Sequence, residues 1–179
     1  MRISDAQRDV RTTFLAGYPG QLAVSALWLA SAALASWGTK REAIVLLCAG
    51  GVFIFPGTQL LLRLMRRPAS LPKGHPMNAL AMQIAFIVPL NIPLVLAATA
   101  YRLDWFYPAC MILVGTHYMP FVFLYGMTEF GALAALLIGG GLAIGLWLPA
   151  SFSLGAWVSA AVFLGFALAA RRVARAESA

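Results

Sequence analysis

Ionisable residues are scarce in this 179-residue sequence. Asp and Glu number six, Lys and Arg thirteen, and charged residues make up 11% of the chain. Soluble proteins carry about 25%. Histidine and cysteine occur twice each. Two lone cysteines, Cys48 and Cys110, without CxxC spacing carry no metal or redox signature; free buried thiols are expected, with a bridge as the open alternative. The sequence also lacks a phosphate-binding glycine loop, HExxH, paired carboxylates and a nucleophile elbow around any serine. These absences argue against an enzyme and point to no metal and no cofactor.

Apolar residues, by contrast, reach 61%, against roughly 45–50% in soluble domains. They fall in six uncharged blocks, and about 20 apolar residues suffice to cross a hydrocarbon core of about 30 Å. The pattern predicts an all-α, polytopic transmembrane helix bundle of six spans, in a single integral membrane domain over 1–179. The spans are placed at 14–37, 43–62, 78–101, 108–127, 130–148 and 152–170. Between Phe130 and Ala170 no residue is charged. That length is about 60 Å of helix, twice the core, so it must fold back once, at Pro149 with Ser151 and Ser153. The first block is read as a retained helix; Ala33-Leu34-Ala35 imitates a cleavage site, but the run is long for a signal and two aspartates precede it.

The net charge of +7 forms no stripe of the kind that nucleic acid would select, because the basic residues flank apolar spans. With both termini cytoplasmic, ten Lys and Arg lie inside, against Lys40, Arg41 and Arg102 outside. The positive-inside rule therefore predicts a cytoplasmic amino terminus and an inner (plasma) membrane location. Trp37, Trp105, Trp147 and Trp157 then fall in the outer half, as an aromatic belt does, and Trp28 falls mid-span. Spans 2 and 5 share a double glycine followed by proline (Gly50, Gly51, Pro56; Gly139, Gly140, Pro149), but at different intervals, so an inverted repeat is not established.

Polar residues inside the apolar blocks are the candidates for function. Pro89 and Pro93 break the hydrogen-bond ladder of span 3 on either side of Asn91, and Gln83 lies about two turns toward the cytoplasm. Span 4 carries His117 and Tyr118 at its centre, with Tyr125 and Glu129 farther along the Tyr118 face. Gln59 lies in the inner half of span 2. If these faces converge, His117, Tyr118, Asn91, Gln83, Gln59, Tyr125 and Glu129 line a cytoplasm-facing cleft. Arg63, Arg66, Arg67 and Lys73 would stand at its mouth and favour a small polar or anionic solute. The competing reading is packing: a neutral imidazole can simply tie two helices together. Small residues at Gly131-xxx-Ala135-xxx-Gly139, Gly141-xxx-Gly145 and Gly155-xxx-Ser159 predict close helix contacts in spans 5 and 6.

Three segments, Val52-Phe53-Ile54-Phe55-Pro56-Gly57, Lys73-Gly74-His75-Pro76-Met77-Asn78 and Gly115-Thr116-His117-Tyr118-Met119-Pro120-Phe121, resemble a family of small bacterial multi-pass membrane proteins known only as a domain of unknown function. His75 stands where that pattern has asparagine. The resemblance implies no activity and no site residues. The expected function is non-enzymatic binding or transport of a small solute at the interface of spans 2 to 4. The alternative is a structural or regulatory subunit that acts through helix contacts. The partners expected are the lipid bilayer, a small-molecule ligand, and a second copy or another membrane protein.

Overall fold

The computed structural model describes residues 2–148 and 151–177. Among them every regular element is a helix, as long uncharged runs require where no water can satisfy a free peptide group. The helices are α1 (Ile3–Thr13), α2 (Tyr18–Trp37), α3 (Lys40–Gly51), α4 (Ile54–Leu64), α5 (Asn78–Tyr101), α6 (Phe106–Tyr125), α7 (Glu129–Leu146) and α8 (Leu154–Ala176). Single 3-10 turns, Leu15–Gly17 and Leu103–Trp105, lead into α2 and α6. Five helical stretches are long and apolar enough to cross a bilayer, and α3 with α4 makes a sixth only as a pair bent by 59°. The architecture is compatible with a multi-pass membrane protein.

The second span, expected over 43–62, is divided into α3 and α4 by this bend. Gly50 and Gly51 close α3, and Pro56 cannot donate a backbone hydrogen bond, so the ladder lapses between them. Gly50 lies hard against α2: an added Cβ would sit 2.4 Å from Leu27 Cδ1. The α5 helix, by contrast, runs unbroken through Pro89 and Pro93. The prolines leave the Ala85 and Pro89 carbonyls without a backbone donor, and between them Asn91 Nδ2 donates to the Ile87 carbonyl at 2.8 Å. The fold-back placed at Pro149 falls outside the described residues, although α7 ends at Leu146 and α8 begins at Leu154.

Helix α6 is the hub, touching α1, α5, α7 and α8, while α2 gathers α3, α4 and α8. Glycines set the α6–α7 distance. A Cβ on Gly115 would lie 2.6 Å from Ile138 Cγ1, and one on Gly141 would lie 2.8 Å from the Pro108 carbonyl oxygen. Gly145 and Gly155 likewise seat against Trp105 and Tyr107. Ala135 and Gly139, in the same sequence pattern, are instead exposed, and Gly139 has no neighbour for a Cβ to meet. Identical spacing thus yields contact on one face of α7 and none on another.

The short mixed-charge stretch before the first span proves to be a helix. Ile3, Ala6 and Val10 recur at helical spacing, and Ala6 and Val10 are buried. Its polar side chains close the end of α6: Gln7 Nε2 donates to the Phe123 carbonyl at 2.6 Å and Arg11 to the Tyr125 carbonyl at 2.7 Å. Those carbonyls belong to the last turn, which has no partners of its own and carries the negative end of the helix dipole. Arg11 also pairs with Glu177 at 2.7 Å, so both ends of the chain meet there. Exchanging Gly115 or Gly141 for alanine is expected to destabilise the protein by about 1–3 kcal/mol through overpacking. Gly139→Ala should be neutral or slightly stabilising. Unfolding in detergent, followed by loss of helical signal against denaturant, measures both.

Candidate functional site

The polar residues of span 4 divide between two faces of α6. Tyr118 points into the bundle, 4% exposed, with its ring 6.1 Å from Phe130 and 5.9 Å from Phe163. Its hydroxyl faces Gln21 of α2, whose Oε1 is buried without a hydrogen-bond partner. Gln21 is itself 3% exposed. Tyr125 continues this aromatic column, 4.9 Å from Phe130 and stacked on Phe121 at 5.7 Å. These rings fill the core and leave no space for a solute.

His117 lies one residue round the helix, half-buried, and meets the backbone of Ile84 on α5. Its Nδ1 is buried without a hydrogen-bond partner. Asn91 reaches the same α5–α6 interface nearer the end away from the termini. There the two helices part into a groove of about 310 Å³, whose lining includes Asn91, Leu94, Ala98, Trp105, Leu113 and Thr116. A second depression of about 260 Å³, lined by Ala98, Tyr101, Arg102 and Trp105, adjoins it. The two share Ala98 and Trp105 in their walls, so they lie next to each other along the slot between mid-α5 and Arg102. Its polar side chains turn toward their own helices: Asn91 Nδ2 bonds Ile87, and Thr116 Oγ1 donates to the Leu113 carbonyl at 2.8 Å.

The remaining candidates are not drawn into a common cleft. Gln83 is exposed on α5, Glu129 is exposed in the first turn of α7, and Gln59 is half-buried on α4. The α4 helix packs on α2 while α5 packs on α6, so spans 2 to 4 do not enclose a cavity among the described residues. Arg63, Arg66 and Lys73 are exposed. Arg67 is engaged as a strut, with Nη2 donating to the Thr12 carbonyl at 2.9 Å. The physical reason is that helical phase tells which residues share a face, but not which helix that face meets.

The residues that the sequence reading passed over, Gln21, Ser25 and Ser31, lie in the first span; with Ser159 of α8 they are the buried polar side chains among the described residues. Ser25 donates to the Ala160 carbonyl at 3.2 Å. Ser31 donates to the Ala43 carbonyl at 3.0 Å and lies 2.7 Å from the Tyr107 hydroxyl, tying α2, α3 and α6 together. The i, i+4 spacing of Gln21 and Ser25 within an otherwise apolar run was the available signal. Cys48 and Cys110 are both free thiols.

Against known sequences, residues 3–172 match a family of unknown function, DUF7010. The chain belongs to this family. No curated protein and no solved structure matches it. The match spans the whole bundle from α1 into the last turns of α8, so the slot, the aromatic column and the α1 closure all fall within the family's extent.

Tyr118→Phe is expected to cost about 1 kcal/mol, because it removes the polar group that the buried Gln21 side chain faces. Adding Gln21→Leu should recover most of that loss, since removing both partners leaves nothing unsatisfied. Denaturant unfolding of the two variants beside the parent protein checks the sign of each change.

Proposed function

We propose that this protein is a non-enzymatic lipid-binding protein of the inner (plasma) membrane, with its amino terminus cytoplasmic. In this reading the α5–α6 slot takes a single acyl chain and Arg102 holds an anionic headgroup. The observation that carries it is the adjacency of the two depressions: a mostly apolar groove adjoins, at Ala98 and Trp105, a second one lined by Arg102. A chain of methylenes asks for apolar walls, and Asn91 and Thr116 provide them by spending their donors on their own backbones. At the slot's end Arg102 is exposed, and Trp105 sits at the level where indole rings favour the headgroup region.

Orientation supports the same reading. Ten basic residues gather at the end of the bundle where the termini meet, and the positive-inside rule favours the cytoplasm for that end. The slot then opens in the outer half of the bilayer. The ligand keeps the anionic character suggested by the sequence, but it enters sideways from the membrane instead of from the cytoplasm. Arg63, Arg66 and Lys73 serve as an anchor to anionic headgroups on the opposite side.

The experiment is native mass spectrometry of the detergent-solubilised protein titrated with phosphatidylglycerol or phosphatidylcholine. Phosphatidylglycerol should bind several-fold more tightly than phosphatidylcholine. Arg102→Gln should erase that preference, and Ala98→Trp, which fills the slot, should weaken both lipids about tenfold or more. Equal binding of both lipids by the parent protein, or full binding by Ala98→Trp, would refute the reading.

A further inference from the structure

Among the described residues, Leu15, Ala16 and Arg66 are the non-glycine positions with left-handed φ, at 50°, 53° and 55°. Arg66 stands alone just past the end of α4, where a single left-handed residue is usual. Leu15 and Ala16 are followed by Gly17 at 83°, so the link from α1 to α2 is a whole left-handed turn. L-residues enter that region singly, because the Cβ crowds the following carbonyl oxygen. Strain of this kind persists only where the surroundings hold it, and it gathers at segments that switch.

The surroundings grip the two sides of this turn unequally. Toward α2 the turn is set in the core: Ala16 is fully buried, and a Cβ on Gly17 would lie 3.1 Å from Phe130 Cζ. Toward α1 the apolar grip is small, since Ala6 and Val10 are the buried side chains of that helix. Most of its hold is polar. Gln7 and Arg11 donate to the last turn of α6, Arg67 donates to the Thr12 carbonyl, and Arg11 pairs with Glu177. Arg11 takes part in two of these four ties and joins the end of α6 to the end of the chain. A helix of 11 residues is marginal by itself in water, so α1 unravels once it leaves the bundle.

We infer that α1 is a strained latch over the end of the bundle where the termini meet. It opens as one unit as the Leu15–Gly17 turn relaxes, while the other helices stay packed, and Arg11 is the residue that holds it shut. Opening bares the Phe123 and Tyr125 carbonyls and lifts Gly17 from the Phe130 ring. This goes beyond the lipid-binding reading and does not draw on it: α1 closes the last turn of α6, whereas Arg102 precedes its first.

The test is residue-resolved amide hydrogen exchange on the full chain in lipid nanodiscs. The hydrogen-bonded amides of α1, with those of Phe14 and Gly17, should share one opening constant, about a hundredfold or more above those of α2 and α6. Arg11→Gln should raise that constant about tenfold, and Glu177→Gln by less, with α2 and α6 unchanged. Ala16→Gly separates a strained turn from a fraying end. Glycine in place of alanine raises opening several-fold where the backbone is ordinary; here it relieves the turn, so the constant should hold or fall. A protection that declines gradually from Gly17 toward Ile3 overturns the proposal, as does an α1 that exchanges only together with α2 and α6. Parental exchange in Arg11→Gln, or a several-fold rise in Ala16→Gly, overturns it equally.

Discussion

The backbone of α6 approaches that of α7 at two glycines, Gly115 and Gly141, and much of the bundle depends on that approach. In a bilayer the hydrophobic effect does little to hold helices together, since lipid tails are as apolar as leucine. What remains is close packing and hydrogen bonding between helices. Bringing α6 against α7 without intervening Cβ atoms places Phe130 beside Tyr118, Phe121 and Tyr125. The same approach leaves the opposite face of α6 free to take α5. The slot, the aromatic column and the terminal closure are all arranged around this one pair.

Polar side chains that are bonded inside the bundle use either a neighbouring helix or their own, while Gln21 Oε1 and Ser159 Oγ are buried without a partner. Ser25 and Ser31 accept the first solution and stitch α2 to α8 and α3. Thr58, Asn91, Thr99 and Thr116 take the second, donating to a carbonyl three or four residues back. The first set reports helix packing. The second set marks polar residues made tolerable beside lipid, which is why the α5–α6 slot reads as apolar despite Asn91 and Thr116 in its wall. His117 stands between these cases, set against the Ile84 backbone with one ring nitrogen buried and unpaired.

Most of the helices were legible in the sequence, because charge is excluded wherever the chain is long and apolar. The boundaries of α5 coincide with the third expected span, 78–101. The second span was legible as apolar but not as bent, since Gly50, Gly51 and Pro56 permit a break without requiring one. The α1 helix was hidden by its mixed charge: only Ala6 and Val10 mark its inner face, and its polar side chains gain their role from the end of α6. Of the candidate site, Asn91 and His117 do share an interface, whereas Tyr118 and Tyr125 lie in the core and Gln83 lies outside it. The phase of each helix was computable from 100° per residue; the identity of its neighbour was not.

What the amino-acid order determined alone is the element: uncharged runs of about 20 residues fit a bilayer as helices, because a helix satisfies its peptide groups within one segment whereas a strand needs neighbours. What only the tertiary structure decided is which faces meet. Gly139 and Gly141 are two residues apart in one glycine run, yet the first touches nothing and the second bears on Pro108. That difference arises from helix pairing, which depends on the simultaneous fit of several side-chain surfaces far apart in the chain and is not a property of any single segment.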